Sequence, residues 1–233
     1  HNQHPEFLHS SSNPPQLMDE IARNLSQGKA WKGEVMCVHK NGNEYVELVR
    51  VFPVRDKQGL VCNYLAIKED ISENKNFAAK LEQVSNHDQL TGLPNRNMLQ
   101  KHFDLEMANS RHISLLWLDL DNVKEVNDAL GYASGDLLLK QVAFRLRDCI
   151  AGREVLARIS GDDFVILLPD TKQSRVALRA QQILESLGEP FVLPGQTLSV
   201  TASAGIAVYP QDAQSLPDLL QKAEVGKYKA KEA

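Results

Sequence analysis

The sequence predicts a layered α/β (α+β) domain preceded by a smaller antiparallel β unit, and three observations carry that prediction. From about residue 95 onward, apolar runs of strand length alternate with longer stretches whose apolar residues recur at helical spacing. Ahead of residue 72, three strand-like runs are separated by Asn41-Gly42 and Lys57-Gln58-Gly59, which supply turns for a meander. Between the apolar runs 156–159 and 164–168 lies Ser160-Gly161-Asp162-Asp163, read as a β-hairpin with Ser160-Gly161 at its tip.

In chain order, residues 14–28 form a short helix with Leu17, Ile21 and Leu25 four apart on one face. Strands 31–39, 44–55 and 60–70 follow. Asp70 or Ser72 caps a helix over 73–86, whose Phe77, Leu81 and Val84 make a short coiled-coil seam. The remaining elements are a helix near 95–109, a strand at 112–120, helices at 123–130 and 134–150, and the hairpin at 155–169. A helix at 172–187, strands near 190–193 and 197–208, and a helix at 215–231 complete the chain.

The 233 residues, 42% hydrophobic and 24% charged, suffice for one sizeable core and a smaller unit. A formal net charge of −4 argues against a nucleic-acid surface, which needs a basic patch to displace counterions. Cys37, Cys62 and Cys149 are odd in number and widely spaced, the pattern of reduced thiols in the cytoplasm rather than of a disulfide frame. His1, His4 and His9 lie in a polar start without metal spacing. No apolar run approaches the ~20 residues of a membrane helix.

Two adjacent carboxylates in a small-residue turn are either an ordinary acidic turn or part of a metal and phosphate site. The partners that would decide lie upstream, where an apolar strand ends in Asp119-Leu120-Asp121-Asn122-Val123-Lys124. Asp119 and Asp121 share a face of an extended segment, and Asp121 or Asn122 can cap a helix opening at Val123. The unpaired N–H groups of that helix start, with Lys124 in its first turn, suit phosphate, and Asp119 beside them suits Mg²⁺. Were the strand and hairpin neighbours, three carboxylates would meet around a phosphate-sized space, a layout for metal-assisted in-line displacement.

At this point the residues resemble the GGDEF domains, typically diguanylate cyclases, over about residues 87–233. The resemblance is carried by His87-Asp88-Gln89-Leu90-Thr91-Gly92-Leu93-Pro94-Asn95-Arg96, by the segment 119–128, by Gly131-Tyr132-Ala133-Ser134-Gly135-Asp136 and by the hairpin. Thr201-Ala202-Ser203-Ala204-Gly205-Ile206-Ala207 and Ala223-Glu224 with Tyr228-Lys229-Ala230-Lys231 add to it. It implies a nucleotidyl-cyclase-like palm with a central, mainly antiparallel sheet flanked by helices, condensing two GTP into cyclic di-GMP with Mg²⁺. Asp119, the Leu120 carbonyl and Asp162 would hold the metal, while Asp162, Asp163 and Lys124 would serve catalysis. Asn127 and Asp136 would read the guanine edge. Asn122, Val123, Ser160 and Gly161 would line the nucleotide, with Lys124 and Lys231 at the triphosphate. Residues 1–72 resemble the C-terminal part of a PAS sensor domain, through Trp31-Lys32-Gly33-Glu34, Asn41-Gly42 and Asp70-Ile71-Ser72, and 73–86 would be a signalling helix. A homodimer through the PAS and helix segments is implied, because each GTP must be presented by a separate protomer. The wording of 97–107 and 112–118 resembles domains fused to an EAL phosphodiesterase, implying such a domain downstream in a parent protein.

Departures fall inside the site. Ser160 replaces a Gly and is expected to crowd the nucleotide or strain the turn. Asp163 replaces Glu, and withdrawing a carboxylate by roughly 1 Å is expected to cost on the order of 10²-fold in rate. Val123 and Tyr132 stand where the family usually has Phe and His, and the Arg expected four residues after Lys231 would fall beyond Ala233. Ala151-Gly152-Arg153-Glu154 replaces an Arg-x-x-Asp pair that binds product, so no product-inhibition site of that type is expected. Two readings follow: a weakened cyclase, or an inactive GTP-binding or dimerising module that regulates a downstream phosphodiesterase.

Overall fold

The computed structural model describes residues 10–110, 112–169 and 173–231, and the chain divides between Leu81 and Glu82 into two compact units. The N-terminal unit is a helix on a three-stranded antiparallel sheet. Helix α1 (Leu17–Ser26) precedes β1 (Trp31–Val38), β2 (Glu44–Arg55) and β3 (Val61–Asp70), which pair in the order β1-β2-β3. Alternate residues Trp31, Val35 and Cys37 of β1 point to one face, where they meet Val49 and Val51 of β2 and the stripe Leu17, Ile21 and Leu25 of α1. Cys37, Cys62 and Cys149 are all free thiols.

Helix α2 (Ser72–Asn86) spans the division. Asp70, not Ser72, supplies its cap, accepting the Ser72 N–H at 2.9 Å. Phe77, Leu81 and Val84 are exposed along it.

The C-terminal unit holds α3 (Arg96–Asn109), β4 (Ile113–Leu120), α4 (Val123–Leu130), α5 (Tyr132–Cys149), β5 (Val155–Ser160) and β6 (Asp163–Pro169). It continues with α6 (Gln173–Gly188), β7 (Phe191–Leu193), β8 (Gln196–Leu198), β9 (Ala202–Tyr209) and α7 (Leu216–Lys231). Four strands form an antiparallel sheet in the order β5-β6-β4-β9. Every residue of β4 is buried, because helices cover both faces. Leu116, Leu118 and Leu120 face α5 and α6 through Leu138, Val142 and Ile183. Ile113, Leu115 and Trp117 face α3 and α7 through Phe103, Leu219 and Ala223. A strand buried on both sides has no solvent-facing side to show, which is why 115–118 reads as an apolar run without alternation.

Two expectations need correction. The single strand anticipated over 197–208 is two: β8 pairs with β7 in a separate ribbon, and β9 joins the main sheet beside β4. The hairpin tip lies at Gly161-Asp162, since Ser160 already pairs with Asp163. Position 172, anticipated as helical, lies outside the described residues. Among these residues no helix is long and apolar enough to cross a membrane.

Candidate active site

The site is assembled at one end of β4. In an antiparallel sheet, residues two apart share a face, so Asp119 continues the stripe of Ile113, Leu115 and Trp117 toward α7. Its register partner on β6 is Asp163. Two carboxylates directly opposite on one face repel, and α7 answers with Lys227. Its ammonium lies 2.8 Å from Asp119 Oδ2 and 3.0 Å from Asp163 Oδ1, and 5.2 Å from the centroid of the Trp117 ring. Lys231, one turn further on, pairs with Asp119 Oδ1 and lies 3.7 Å from Asp121. Burial raises the pKa of Asp119, but the hydrogen bonds from Lys227 and Lys231 outweigh it and hold the carboxyl below its usual range. Burial likewise pulls Lys227 toward its neutral form, and Asp119 with Asp163 reverses that, leaving its pKa raised.

Asp163 is fully engaged. Trp117 Nε1 donates to its Oδ1 at 2.6 Å, and Ser160 Oγ donates to its Oδ2 at 3.3 Å. Asp162 differs. It is half-buried on the hairpin turn, where burial first, then the charges of Asp119 and Asp163, push its pKa up. The Leu120 N–H donates to the Asp162 carbonyl at 3.2 Å, tying the turn to the end of β4.

The hairpin is held by a side chain that the sequence reading passed over. Arg158 is buried, its Nε and Nη2 donate to the Gly161 carbonyl at 3.0 and 2.6 Å, and its Nη1 meets Asp88 at 2.8 Å. Gly161 takes φ +43°, a left-handed conformation that glycine adopts without a Cβ penalty. The strain anticipated at Ser160 is absent, since among the described non-glycine residues only Asn122 has a positive φ.

Asn122 occupies the N-cap of α4 at φ 63°, without a side-chain cap hydrogen bond. Asp121 is not the cap either. It is half-buried and accepts hydrogen bonds from Thr201 Oγ1 at 2.7 Å and Ser203 Oγ at 3.2 Å on the β9 side. Asp121, Asn122, Thr201, Ser203, Ala230 and Lys231 line a polar cleft of about 510 Å³. Val123 is buried beneath it, and Lys124 is exposed, outside the carboxylate network of the described residues. Further along, Asn127 lies against the buried Gly135, so close that a Cβ there would sit 1.9 Å from Asn127 Oδ1. The next residue, Asp136, is exposed.

The geometry therefore brings Asp119, Asp162, Asp163 and Lys231 together, places Asn127 beside the start of α5, and leaves Lys124 apart. Lys227 escaped sequence reading, although its i, i+4 spacing from Lys231 marks both as one helix face. Among the described residues no three His, Cys, Asp or Glu side chains are arranged as a metal cage. Asp119 and Asp162 still offer the one or two carboxylates through which Mg²⁺ binds when substrate phosphates complete its shell. Asp119 would do so where Lys231 gives up its Oδ1, whereas the Asp163 Oδ1 is shared by Trp117 and Lys227.

A family model described as "Diguanylate cyclase, GGDEF domain" matches residues 85–233. The chain belongs to the GGDEF family. A PAS domain model matches residues 1–73, ahead of the GGDEF unit. Among relatives, the chain is 36% identical over 157 residues to the cyclic di-GMP phosphodiesterase NbdA of Pseudomonas aeruginosa, covering 66% of this chain and 20% of NbdA. It is 36% identical over 159 residues to the diguanylate cyclase TpbB of the same species, covering 66% of this chain and 37% of TpbB. The GGDEF unit also resembles a sensory box/GGDEF family protein from Caulobacter crescentus, with a TM-score of 0.58 and 34% identity over 63% of this chain and 98% of that one. The chain spans a fifth to a quarter of the first curated relatives it matches. Its palm-like architecture, an antiparallel sheet between helices, is that of the GGDEF fold.

Proposed function

We propose that the chain is a cyclic di-GMP signalling unit of the diguanylate cyclase type, condensing two GTP with Mg²⁺, and that its Ser160-Gly161-Asp162-Asp163-Phe164 motif turns over weakly. The convergence of Asp119, Asp162 and Lys231 beside the polar cleft supports this reading. Asn127 and Asp136 would bind the guanine edge, and the first N–H groups of α4 at Asn122 and Val123 would face the phosphates. Lys231, partly exposed, would exchange Asp119 for the triphosphate, releasing Asp119 Oδ1 as a metal ligand. Lys124 would swing in from solvent to the same phosphates. When bound, Mg²⁺ would supply charge neutralisation at the phosphate and a lowered pKa at the attacking ribose hydroxyl. Asp162, whose raised pKa lies nearer the working pH than that of an ordinary aspartate, would take that hydroxyl's proton.

A homodimer is part of the proposal, since two bound GTP must face each other. The exposed Phe77, Leu81 and Val84 of α2 support an antiparallel or parallel helix pair there. A GTP substrate, like the three free thiols, accords with a unit that works in the cytoplasm.

A second reading draws on one observation: the engagement of both Asp163 oxygens by Trp117, Lys227 and Ser160. In it the unit binds GTP or dimerises without turnover and regulates an EAL phosphodiesterase domain of a longer protein. Incubating the purified chain with Mg²⁺ and GTP separates the two. Cyclic di-GMP from the native chain removes the inactive reading. Bound GTP with no product, from the native chain and from S160G/D163E alike, removes the cyclase.

A further inference from the structure

Lys227 belongs to neither the nucleotide nor the metal roles assigned above, yet it is the most buried ammonium of the site, with the residue only 8% exposed. Three independent contacts fix it. The register of β4 against β6 sets Asp119 opposite Asp163, and the ammonium bridges them. The Trp117 ring lies beneath it, a cation–π contact that adds to its preference for the charged form. Its backbone is pressed onto the sheet at Gly205, where a Cβ would meet Ala223 O at 1.9 Å and Lys227 N at 2.5 Å. The helix cannot withdraw without opening this seam, so the ammonium is held by packing, unlike Lys231 at the exposed end of α7.

We propose that Lys227 is a resident cation of the carboxylate site: its ammonium holds Asp119 and Asp163 together and keeps a divalent cation out of the space between them. This rests on the reading of the cluster as a divalent-cation site. A buried positive charge within 3.0 Å of both carboxylates repels a second cation strongly, because screening is weak there. The consequence is a site with room for divalent metal only on its Asp162 side, where Lys231 can leave. Charge compensation that a metal would give one carboxylate pair is built into the chain.

The test is Mn²⁺ affinity of the full chain without nucleotide, read from the electron paramagnetic resonance of free Mn²⁺, and thermal stability with and without Mg²⁺. Lys227→Met keeps the length and apolar stem of the side chain and removes its charge. It is expected to bind Mn²⁺ about tenfold more tightly or better, and to gain more thermal stability from Mg²⁺ than the native chain does. Lys227→Arg, which keeps the charge, should match the native affinity, and Lys231→Met should gain less than Lys227→Met. A Lys227→Met protein with native Mn²⁺ affinity and no added response to Mg²⁺ overturns the inference. Should that variant not fold, the ammonium resonances of the native chain decide. Millimolar Mg²⁺ with GTP should move the Lys231 signal and leave that of Lys227 in place, and displacement of both together overturns the inference. The underlying reading fails separately, through absence of Mn²⁺ binding to the native chain with GTP and to every variant.

Discussion

Two seams of the C-terminal unit are closed over a glycine, and what each glycine touches differs in kind. At Gly205, β9 meets the backbone of α7, at Ala223 O and Lys227 N. At Gly135, α5 meets the tip of a side chain, Asn127 Oδ1, at the same 1.9 Å. Backbone inside a helix cannot step aside, whereas an asparagine amide can turn about two bonds. The β9–α7 seam therefore fixes the charged end of the site rigidly, with each lysine already paired. The α4–α5 seam presents a half-buried Asn127 and an exposed Asp136 that are free to adapt. One end is fixed by charge and packing, the other by a side chain that can turn.

The contrast is broken most severely at its rigid end. Gly205→Ala is expected to cost more than about 4 kcal/mol, since overlap with helix backbone has no cheap relief. Chemical denaturation followed by circular dichroism would show it, and a loss under about 1 kcal/mol would mean that α7 can slide. Lys227→Met comes next, at about 3 kcal/mol, because it leaves two facing carboxylates without their shared partner. Adding Asp163→Asn should return part of that stability in the same denaturation experiment.

At the hairpin the expected change is in rate rather than stability. S160G/D163E is expected to raise cyclic di-GMP formation by about 10²-fold, as a longer carboxylate escapes Trp117 and Lys227 and reaches substrate. Product counted by chromatography checks it. Gly135→Ala should be smaller again: displacing Asn127 is expected to weaken GTP binding by about tenfold, measured by calorimetry, at a stability cost within about 1 kcal/mol. If it unfolds the chain instead, the α4–α5 seam is as rigid as the other.

Protons give the mildest perturbation. Asp119 has its carboxyl held below the ordinary value of 3.8, so the unfolded chain takes up protons first as pH falls. The stability it contributes is complete above that value and is lost as pH drops below it through the lowered pKa. Lys227, raised above its ordinary 10.5, contributes fully below that value and loses its share as pH climbs through the raised pKa. Denaturation midpoints across pH should therefore differ between native chain and Lys227→Met on the neutral plateau and converge at the acid end.

Much of this was legible in the chain. The hydrophobic periods gave the elements, and the strand at 112–120 already read as an apolar run that carries Asp119 near its end. The hairpin at Gly161 followed from turn chemistry. What escaped has a common cause: it depends on which elements become neighbours. Lys227 looks like any solvated lysine on a polar helix until α7 is laid over Trp117. Arg158 looks like a strand residue until Asp88 meets it. Residues 197–208 look like one strand because nothing local in Ser199 to Thr201 reveals that β8 turns to β7 while β9 crosses to β4. The share of Asp121 in the β9 hydrogen bonds was hidden for the same reason.

The central position of β4 also has a consequence in time. Its eight buried residues pair with β6 on one side and with β9 on the other, and neither partner is next to it along the chain. A ribosome adding about 5–20 residues per second needs on the order of 4–16 s to travel from the end of β4 to the start of β9. During that interval a strand buried along its whole length has been made and its second edge has no strand to join. Newborn chains are thus most vulnerable to sticking to one another before the last quarter of the unit emerges, and stalling translation there should harvest aggregates rather than intermediates that refold.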